Sequence, residues 1–308
     1  MLAFNDPHAA RWTTLQADYH DTLAHVATLG GADLVATSPP YCDARTYGAG
    51  VSWTDADYAS LGDAVFAALK PGGHALINVD APVREWRKGY GTERGFHPWV
   101  LMLDWARRVG FRVPDRLAFG RQGLPGEYLG RFRNDWEPLL WFQKPGADGW
   151  FDRHTLVSAS KTGVRTDVTT GVKPDGTTRI RAKSGWATEN GLRHRGTLWD
   201  YVEASNGGAP DIEAENHPAR WPFKLAEDIV RCFCPPDGLA VDPFLGAGTS
   251  MIAALEHGRR FHGGDLGARV IDPSKPHLDA VPWITVAERV WVQRNRQQRL
   301  FGVANGQD

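Results

Sequence analysis

Short apolar runs alternate with longer amphipathic stretches over the first 145 residues of the chain. The run "ADLVATS" (32–38) is apolar and lies between glycine and proline residues, which predicts a buried parallel strand. The stretch "TDADYASLGDAVFAALKPGG" (54–73) predicts a helix that Thr54 or Asp55 caps and that its Lys-Pro-Gly-Gly sequence ends. Similar patterns predict a strand at 74–80, a helix at 97–110 and strands within 111–120 and 136–146. This alternation indicates an α/β protein with a doubly wound sheet.

A polar segment interrupts the alternation after Pro145. Residues 146 to about 196 are rich in Thr, Gly, Lys and Arg and show little apolar periodicity. Within them, "TTGVKPDGTTRI" (169–180) predicts a hairpin that turns at Pro174, Asp175 and Gly176. Because turn signals and aromatic residues are present, we expect an ordered insert rather than a mobile linker.

The α/β pattern resumes at residue 217. It predicts helices within 221–234 and 248–258, strands within 238–244 and 259–266, and a final helix within 283–301. We therefore expect one α/β domain in two parts, residues 1–145 and 216–308, with residues 146–215 inserted between them.

Charge is unevenly distributed along a chain that is almost neutral overall. The 308 residues carry a net charge of −1, so the total does not suggest a polyanionic partner. Residues 84–133 nevertheless hold eleven Lys and Arg against five Asp and Glu, and residues 151–196 hold nine against four. Charge runs are usually solvated surface, but two basic segments also fit a protein with one basic face.

The cysteines and the scarcity of long apolar runs bear on the compartment. Cys42, Cys232 and Cys234 form no Cys-x-x-Cys pair and no disulfide framework, which favours a reducing cytoplasm. The first residues lack the apolar core of a signal peptide, and no run approaches the roughly 18 apolar residues of a membrane span. We expect a cytoplasmic protein with no membrane partner.

A glycine-rich turn carries the first chemical signal. In "LAVDPFLGAGTSMIAALEHGRRFHGGDL" (239–266), a strand ends at Asp242, a loop holds Gly246 and Gly248, and a helix starts near Thr249. Glycines let the backbone turn tightly and approach a ligand closely. A P-loop would need a lysine after its last glycine, and a dinucleotide fingerprint would need a third glycine, whose place Met251 takes.

The acidic residues at this turn select the type of ligand. Asp242 would repel a phosphate and suits a cationic ligand with a free amino group. Asp265, at the end of the next strand, stands where ribose hydroxyls are held in such folds, or else caps a helix. S-adenosylmethionine has an amino group, a sulfonium and a ribose but no phosphate, and it fits this pattern best.

The second signal is the sequence Ser38-Pro39-Pro40-Tyr41 at the tip of the first predicted strand. Prolines lack the backbone donor, so they end the strand and leave carbonyls that neighbouring amides have not claimed. The tips of strands in open α/β sheets are where such proteins usually carry out their chemistry.

Together, Ser38-Pro39-Pro40-Tyr41 and Asp242-Pro243-Phe244-Leu245-Gly246-Ala247-Gly248-Thr249 resemble the two signature motifs of the amino-group DNA methyltransferases. Those enzymes modify cytosine N4 or adenine N6. The catalytic motif comes first here, which resembles the circularly permuted β group of the family. The resemblance implies a permuted Rossmann-like methyltransferase with a mostly parallel sheet, a C-terminal-type β-hairpin and an inserted target-recognition region. Residues 1–145 would be the catalytic half, 146–215 the recognition insert and 216–308 the cofactor-binding half.

The resemblance also assigns residues outside the two motifs. The segment "NHPARWPFKLAEDIV" (216–230) looks like the part of the family that lines the cofactor pocket, which implies roles for His217, Pro218 and Trp221. Asp18 corresponds loosely to the acidic residue that holds the adenine. Together with Asp242, Pro243, Phe244, Gly246, Gly248, Thr249 and Asp265, these residues form the implied cofactor site. The chain departs from the family at Asp135-Trp136-Glu137, where a His-Glu pair often stands.

The implied chemistry is direct transfer of a methyl group to a base amino nitrogen. Ser38 Oγ and the Pro39 carbonyl would accept the hydrogens of that nitrogen, and Tyr41 would stack on the base after it leaves the duplex. A serine before the two prolines favours cytosine N4, with adenine N6 as the alternative. Cys42 allows a covalent route through a thiolate, but it follows Tyr41 and we interpret it as a bystander.

The implied partner is double-stranded DNA, which the Lys and Arg residues of 151–196 would contact. No metal is expected, because the eleven histidines include no His-x-Glu paired with a Cys-x-x-Cys. Two other hypotheses stay open at this point: an RNA or protein-glutamine methyltransferase with the same pocket, and a non-catalytic DNA-binding protein. The sequence leaves the oligomeric state and the recognition site undetermined.

Overall fold

The computed structural model describes residues 11–41, 53–80, 83–87, 90–94, 97–120, 135–159, 169–181, 191–201, 221–270 and 280–304. The helices are α1 Tyr19–Thr28, α2 Asp55–Ala68, α3 Pro98–Arg108, α4 Phe223–Phe233, α5 Thr249–Glu256 and α6 Trp283–Ala304. The strands are β1 Trp12–Leu15, β2 Ala32–Thr37, β3 Leu69–Asn78, β4 Val83–Arg87, β5 Tyr90–Arg94, β6 Arg116–Gly120, β7 Trp136–Gln143, β8 Val157–Ala159, β9 Thr169–Val172, β10 Thr178–Arg181, β11 Leu192–His194, β12 Leu198–Asp200, β13 Leu239–Asp242, β14 Arg260–Gly264, β15 Ala268–Val270 and β16 Ala280–Pro282.

Eight of the described strands form one sheet in the order β1-β14-β13-β2-β3-β7-β6-β12. All neighbours pair in parallel except β7, which runs antiparallel to both β3 and β6. At the centre, Val35 of β2 pairs with Ala75 of β3 on one side and Val241 of β13 on the other. The predicted α/β fold with a mostly parallel sheet is therefore confirmed.

Two apolar clusters lie on the two faces of this sheet. Side chains of α1, α2 and α3 pack with Val35 and Ile77 on one face. Side chains of α4, α5 and α6 pack with Leu34 and Leu76 on the other. Because successive residues of a strand point to opposite faces, the unbroken apolar runs of β2 and β3 supply both clusters.

The predicted start of α2 is confirmed, and Thr54 rather than Asp55 is its cap. Thr54 and Asp57 form a capping box, in which the backbone N–H of Thr54 donates to Asp57 Oδ2 at 2.7 Å. The Lys-Pro-Gly-Gly sequence follows the helix but already belongs to β3, which starts at Leu69 rather than at the predicted residue 74. The buried Leu69 pairs with Ala32, which extends the strand backwards past a bulge.

The described parts of residues 146–215 contain several paired strands. β9 and β10 form the predicted antiparallel hairpin, and Gly176 in its turn has φ 82°. β8 pairs with β11, and β12 joins the edge of the main sheet beside β6. The sequence patterns predicted neither these last three strands nor β1, the β4–β5 hairpin and the β15–β16 pair.

None of the described helices is long and apolar enough to cross a membrane. Within the same residues, no group of three or more His, Cys, Asp or Glu side chains is arranged to hold a metal ion.

Candidate active site

The carboxyl ends of adjacent parallel strands bring the two sequence motifs together. In the sheet order β1, β14, β13, β2 and β3, these ends meet at one edge. Asp265 follows β14, Asp242 ends β13, Ser38 follows β2 and Asn78 ends β3. The catalytic and cofactor motifs, about 200 residues apart in the chain, are thus neighbours in the fold.

Asp242 is buried, and its carboxylate is held by three donors. Oδ1 accepts from the Thr37 hydroxyl at 2.6 Å and from the Phe244 backbone N–H at 3.0 Å. Oδ2 accepts from the Ser250 hydroxyl at 2.5 Å. Burial raises the pKa of Asp242 to about 6, although these hydrogen bonds oppose the shift. Asp242 therefore fixes the strand tip, the loop and the start of α5 with respect to each other.

The glycine-rich loop adopts the backbone that its glycines allow. Gly246 has φ 50° and Gly248 has φ 83°, both in the left-handed region. The Leu245 N–H donates to the Gly264 carbonyl at 2.9 Å, which ties the loop to β14. A Cβ at Gly248 would lie 2.6 Å from the Cβ of Ala287 in α6, so the final helix packs directly on this loop.

Asp265 supports the same loop from the neighbouring strand. Its Oδ2 accepts from the Gly246 N–H at 2.8 Å and its Oδ1 from the Gly267 N–H at 2.6 Å. Strand β15 follows it, so Asp265 does not cap a helix as the alternative interpretation had allowed. Burial raises the pKa of Asp265. Two carboxylates, Asp242 and Asp265, hence flank a loop with tight left-handed turns, which disfavours a phosphate and suits a ligand with a cation and hydroxyl groups.

Aromatic side chains pack beside this loop. Phe244 stacks on Tyr19 at 5.6 Å between ring centroids, and it meets Trp53 edge-on at 5.3 Å. Tyr19 and Trp53 also touch each other at 5.4 Å. These three rings join the start of α1, the segment before α2 and the loop into one apolar wall.

The catalytic motif is anchored by hydrogen bonds on both sides of its prolines. The Tyr58 hydroxyl of α2 donates to the Pro40 carbonyl at 2.7 Å. The Ser38 hydroxyl donates to the Tyr41 hydroxyl oxygen at 3.2 Å. The Tyr41 hydroxyl in turn lies 2.9 Å from Asn78 Oδ1 and 3.1 Å from Glu137 Oε2.

Asn78 is the centre of this polar network. Its Oδ1 faces the Tyr41 hydroxyl and also accepts from the indole N–H of Trp221 at 3.0 Å. Its Nδ2 donates to Glu137 Oε2 at 3.2 Å and to the Pro138 carbonyl at 2.9 Å. The side chain is almost fully buried and uses both donors and both acceptor positions, so its orientation is fixed.

Known proteins resemble this chain in sequence and in fold. The family model described as DNA methylase, N6_N4_Mtase, matches residues 32–275 of the chain. The chain belongs to this family. The type II methyltransferase M.ScaI of Streptomyces caespitosus is 25% identical over 257 residues, which are 80% of this chain and 75% of that protein.

Solved structures agree on the fold of this methylase. The M1.HpyAVI–SAM complex has a TM-score of 0.54 at 17% identity and covers 91% of this chain and 98% of its own. The PvuII DNA methyltransferase (cytosine-N4-specific) has a TM-score of 0.55 at 16% identity, with coverage of 91% and 93%.

Like Asp242 and Asp265, two more of the predicted cofactor residues of the methylase have structural partners. Asp18 is the N-cap of α1, and its Oδ1 accepts from the Asp21 N–H at 2.8 Å. Trp221 is buried in front of α4 and is fixed by its bond to Asn78. Contact of either side chain with a bound cofactor stays a prediction. His217, Pro218 and Cys42 lie outside the described residues.

Sequence reasoning missed three residues of the site in the methylase. Asn78, Tyr58 and Glu137 each hold part of the catalytic motif, yet each lies within an otherwise ordinary helix or strand pattern. A signal was present for two of them. Asn78 and Glu137 are polar residues within runs that are otherwise apolar and buried, and a buried polar side chain requires a partner.

Proposed function

We propose that this protein transfers a methyl group from S-adenosylmethionine to the exocyclic N4 of a cytosine that has been rotated out of duplex DNA. The observation that carries the proposal is the bond between Thr37 and Asp242, because it holds Ser38 beside the glycine-rich loop. A base amino group at Ser38 would lie next to a ligand held by that loop.

The methyl donor of the family fits the residues present. The loop offers left-handed glycines for close backbone approach, and Asp265 offers carboxylate oxygens at its rim. When bound, S-adenosylmethionine supplies an electrophilic methyl group on a sulfonium. Eleven residues are proposed to bind and orient this ligand: Asp242, Pro243, Phe244, Gly246, Gly248, Thr249, Asp265, Asp18, His217, Pro218 and Trp221.

The catalytic motif orients the amino group that receives the methyl. The amino nitrogen of cytosine is a weak nucleophile because its lone pair is delocalised into the ring. The lone pairs of Ser38 Oγ and the Pro39 carbonyl accept its two hydrogens, which favours a pyramidal nitrogen and disperses the positive charge that develops. Tyr41 stacks on the base, and positioning supplies most of the rate.

The choice of cytosine over adenine rests on Ser38. A neutral hydroxyl accepts a hydrogen bond more weakly than the carboxylate that often stands at this position for adenine. The PvuII DNA methyltransferase, which is cytosine-N4-specific, has the same fold. Adenine N6 is the second candidate, because the matched family includes both N4 and N6 enzymes.

Duplex DNA is the proposed macromolecular partner, and the insert would read it. Arg153, Lys173 and Arg193 are exposed on the described part of the insert, where they can contact phosphates. Trp150 and Phe151 are also exposed there, by 43% and 47% respectively.

The test is to incubate the purified protein with duplex DNA and labelled S-adenosylmethionine, digest the DNA and identify the methylated nucleoside by mass spectrometry. Detection of N4-methylcytosine supports the proposal. Detection of N6-methyladenine would make adenine the substrate base and leave the proposed site unchanged. Ser38→Ala should lower the methylation rate by about 100-fold or more without changing the Kd of the cofactor. Ser60→Ala, a serine on α2 that bonds His20, is the matched control.

Cys42→Ser separates the direct route from the covalent one. It should retain the wild-type rate, because direct transfer needs no thiolate. A folded but inactive Cys42→Ser protein would overturn the proposed mechanism. Cofactor binding without any methylated nucleoside in DNA would shift the substrate to RNA or protein.

A further inference from the structure

A buried carboxylate lies behind the catalytic motif and has no role in the chemistry described so far. Glu137 in β7 is 5% exposed. Its Oε2 lies 3.1 Å from the Tyr41 hydroxyl and 3.2 Å from Asn78 Nδ2. Placing a carboxylate away from water carries a free-energy cost unless it is paired or hydrogen-bonded. Such a group at the base of a catalytic loop calls for a functional explanation.

The direction of the hydrogen bonds follows from counting protons. Tyr41 carries one hydroxyl proton and has two acceptors within reach, Asn78 Oδ1 and Glu137 Oε2. The Ser38 proton is directed at the Tyr41 oxygen. A continuous chain of donors therefore runs from Ser38 through Tyr41 to Glu137. It leaves the lone pairs of Ser38 Oγ to accept a hydrogen from a substrate.

The two acceptors of the Tyr41 proton differ in chemistry. An amide oxygen such as Asn78 Oδ1 can share a hydrogen bond but does not become protonated near neutral pH. A carboxylate such as Glu137 can take the proton completely. Asn78 donates to Glu137 through Nδ2, so it also fixes the carboxylate oxygen that faces Tyr41.

We propose that Glu137 is a positioning residue that acts through Tyr41 on Ser38 and is the final acceptor of the proton that the methylated nitrogen releases. The proposal rests on the proposed function, because it requires an amino group at Ser38. Methylation leaves the nitrogen with one methyl group, two hydrogens and a positive charge. One N–H bond then breaks, and that proton forms a new O–H bond at Ser38 Oγ.

The remaining transfers restore both hydroxyl groups. The original Ser38 proton moves to the Tyr41 oxygen, and the original Tyr41 proton moves to Glu137 Oε2. Serine and tyrosine end neutral, Glu137 ends as a neutral carboxylic acid, and the base ends as the neutral methylated amine. Charge and atoms balance without another reactant, and Glu137 loses its proton to solvent before the next turnover.

The experiment compares single-turnover methylation rates of Glu137→Gln, Tyr41→Phe and their double mutant at saturating cofactor and DNA. Glutamine keeps the size of the side chain but cannot take a proton. Phenylalanine keeps the stacking ring and removes the relay hydroxyl. We expect each single substitution to lower the rate by about 10- to 100-fold. The double mutant should be no slower than the slower single mutant, because both changes break one chain.

The Ser38→Ala background provides a readout that a merely structural role would not change. If Glu137 acts through Ser38, Glu137→Gln should have no further effect on the residual rate of Ser38→Ala. The same factor in both backgrounds would indicate that Glu137 only supports the fold, and it would overturn the proposal. Glu227→Gln, at a partly buried glutamate of α4 that pairs with Lys224, is the control for a glutamate-to-glutamine change.

Tyr41→Phe keeps the test decisive if Glu137→Gln does not fold. A wild-type rate for either folded single mutant would overturn the relay. If Ser38→Ala itself kept the wild-type rate, the proposed function would fail at its catalytic residue. An inactive Ser38→Ala together with fully active Glu137→Gln and Tyr41→Phe would reject the relay alone.

Discussion

Thr37 donates a hydrogen bond of 2.6 Å to Asp242, across 205 positions of sequence. Thr37 precedes the catalytic motif and Asp242 begins the cofactor motif, so one buried bond joins the tips of β2 and β13. Asp242 also holds Phe244 and Ser250. A change at this carboxylate should consequently affect stability and ligand binding together.

The pH dependence of stability should reveal the buried Asp242. Burial raises the pKa of this carboxyl from 3.8 to about 6, so the folded protein binds the proton more tightly than the unfolded chain does. The resulting stabilisation is complete below pH 3.8 and is lost as the pH rises through about 6. Asp242→Asn stays neutral, so its stability relative to wild type should rise by about 2 to 3 kcal/mol between pH 4 and pH 8.

Urea unfolding across this pH range, without cofactor, measures the difference. Asp104→Asn is the control, since Asp104 is an exposed partner of Arg108 on α3. If the free energy of unfolding changed with pH in the same way for wild type and Asp242→Asn, the folded state would not raise the pKa of Asp242.

Gly248→Ala should weaken both the fold and cofactor binding. The new Cβ would lie 2.6 Å from Ala287 Cβ at a residue with φ 83°, so the loop would have to move away from α6. Gly176→Ala is a matched control, because Gly176 has φ 82° and its Cβ would meet nothing within 4 Å. The control should lose about 1 to 2 kcal/mol from backbone strain alone.

We expect Gly248→Ala to lose at least about 1 kcal/mol more than Gly176→Ala, because it adds overpacking to the same strain. The Kd of S-adenosylmethionine, measured by calorimetry, should rise for Gly248→Ala and stay unchanged for the control. If both variants lost the same stability and Gly248→Ala kept its affinity for S-adenosylmethionine, α6 would have shifted to accommodate the new methyl group.

Asp228→Ala should destabilise the junction between the insert and α4. Asp228 is fully buried, and its Oδ2 accepts from Arg195 at 2.8 Å and from the Tyr201 hydroxyl at 2.9 Å. Lys224 Nζ lies 3.0 Å from Oδ1. The side chains of Arg195 and Lys224 are 29% and 47% exposed, so water can solvate them, but the buried Tyr201 hydroxyl would lose its acceptor. We therefore expect a loss of about 1 to 3 kcal/mol in urea unfolding.

The exposed pair of Arg108 and Asp63 is the comparison for Asp228. Asp63→Ala should lose less than about 1 kcal/mol, because solvent screens that pair. A similar small loss for Asp228→Ala would mean that water also reaches the Tyr201 hydroxyl when the carboxylate is removed.

The sequence predicted the central sheet well because its strands are buried on both faces. β2, β3, β7 and β13 are marked by largely apolar runs that are followed closely by proline, glycine or aspartate. The sequence pattern did not mark the strand at the edge of the sheet. β1 is four residues long and partly exposed, and only its pairing with β14 across the chain makes it a strand.

The candidate site was predicted where a motif marked it and missed where tertiary contact created it. Ser38 and Gly248 were recognised from local patterns. Glu137 became part of the site only because β7 inserts antiparallel beside β3, which no local pattern specifies. Contact of Asp242 with the cofactor stays a prediction, and the three protein donors that its oxygens also hold could not be read from the sequence.

The position of β2 at the centre of the sheet has a consequence during synthesis. Its partner β3 leaves the ribosome shortly after it, but β13 follows about 200 residues later, and β1 also waits for β14. At about 5 to 20 residues per second, the nascent chain carries an unpaired apolar strand edge for roughly 10 to 40 seconds. Such an edge is a template for aggregation, so translation of the residues between β2 and β13 is the interval in which this fold most needs a chaperone.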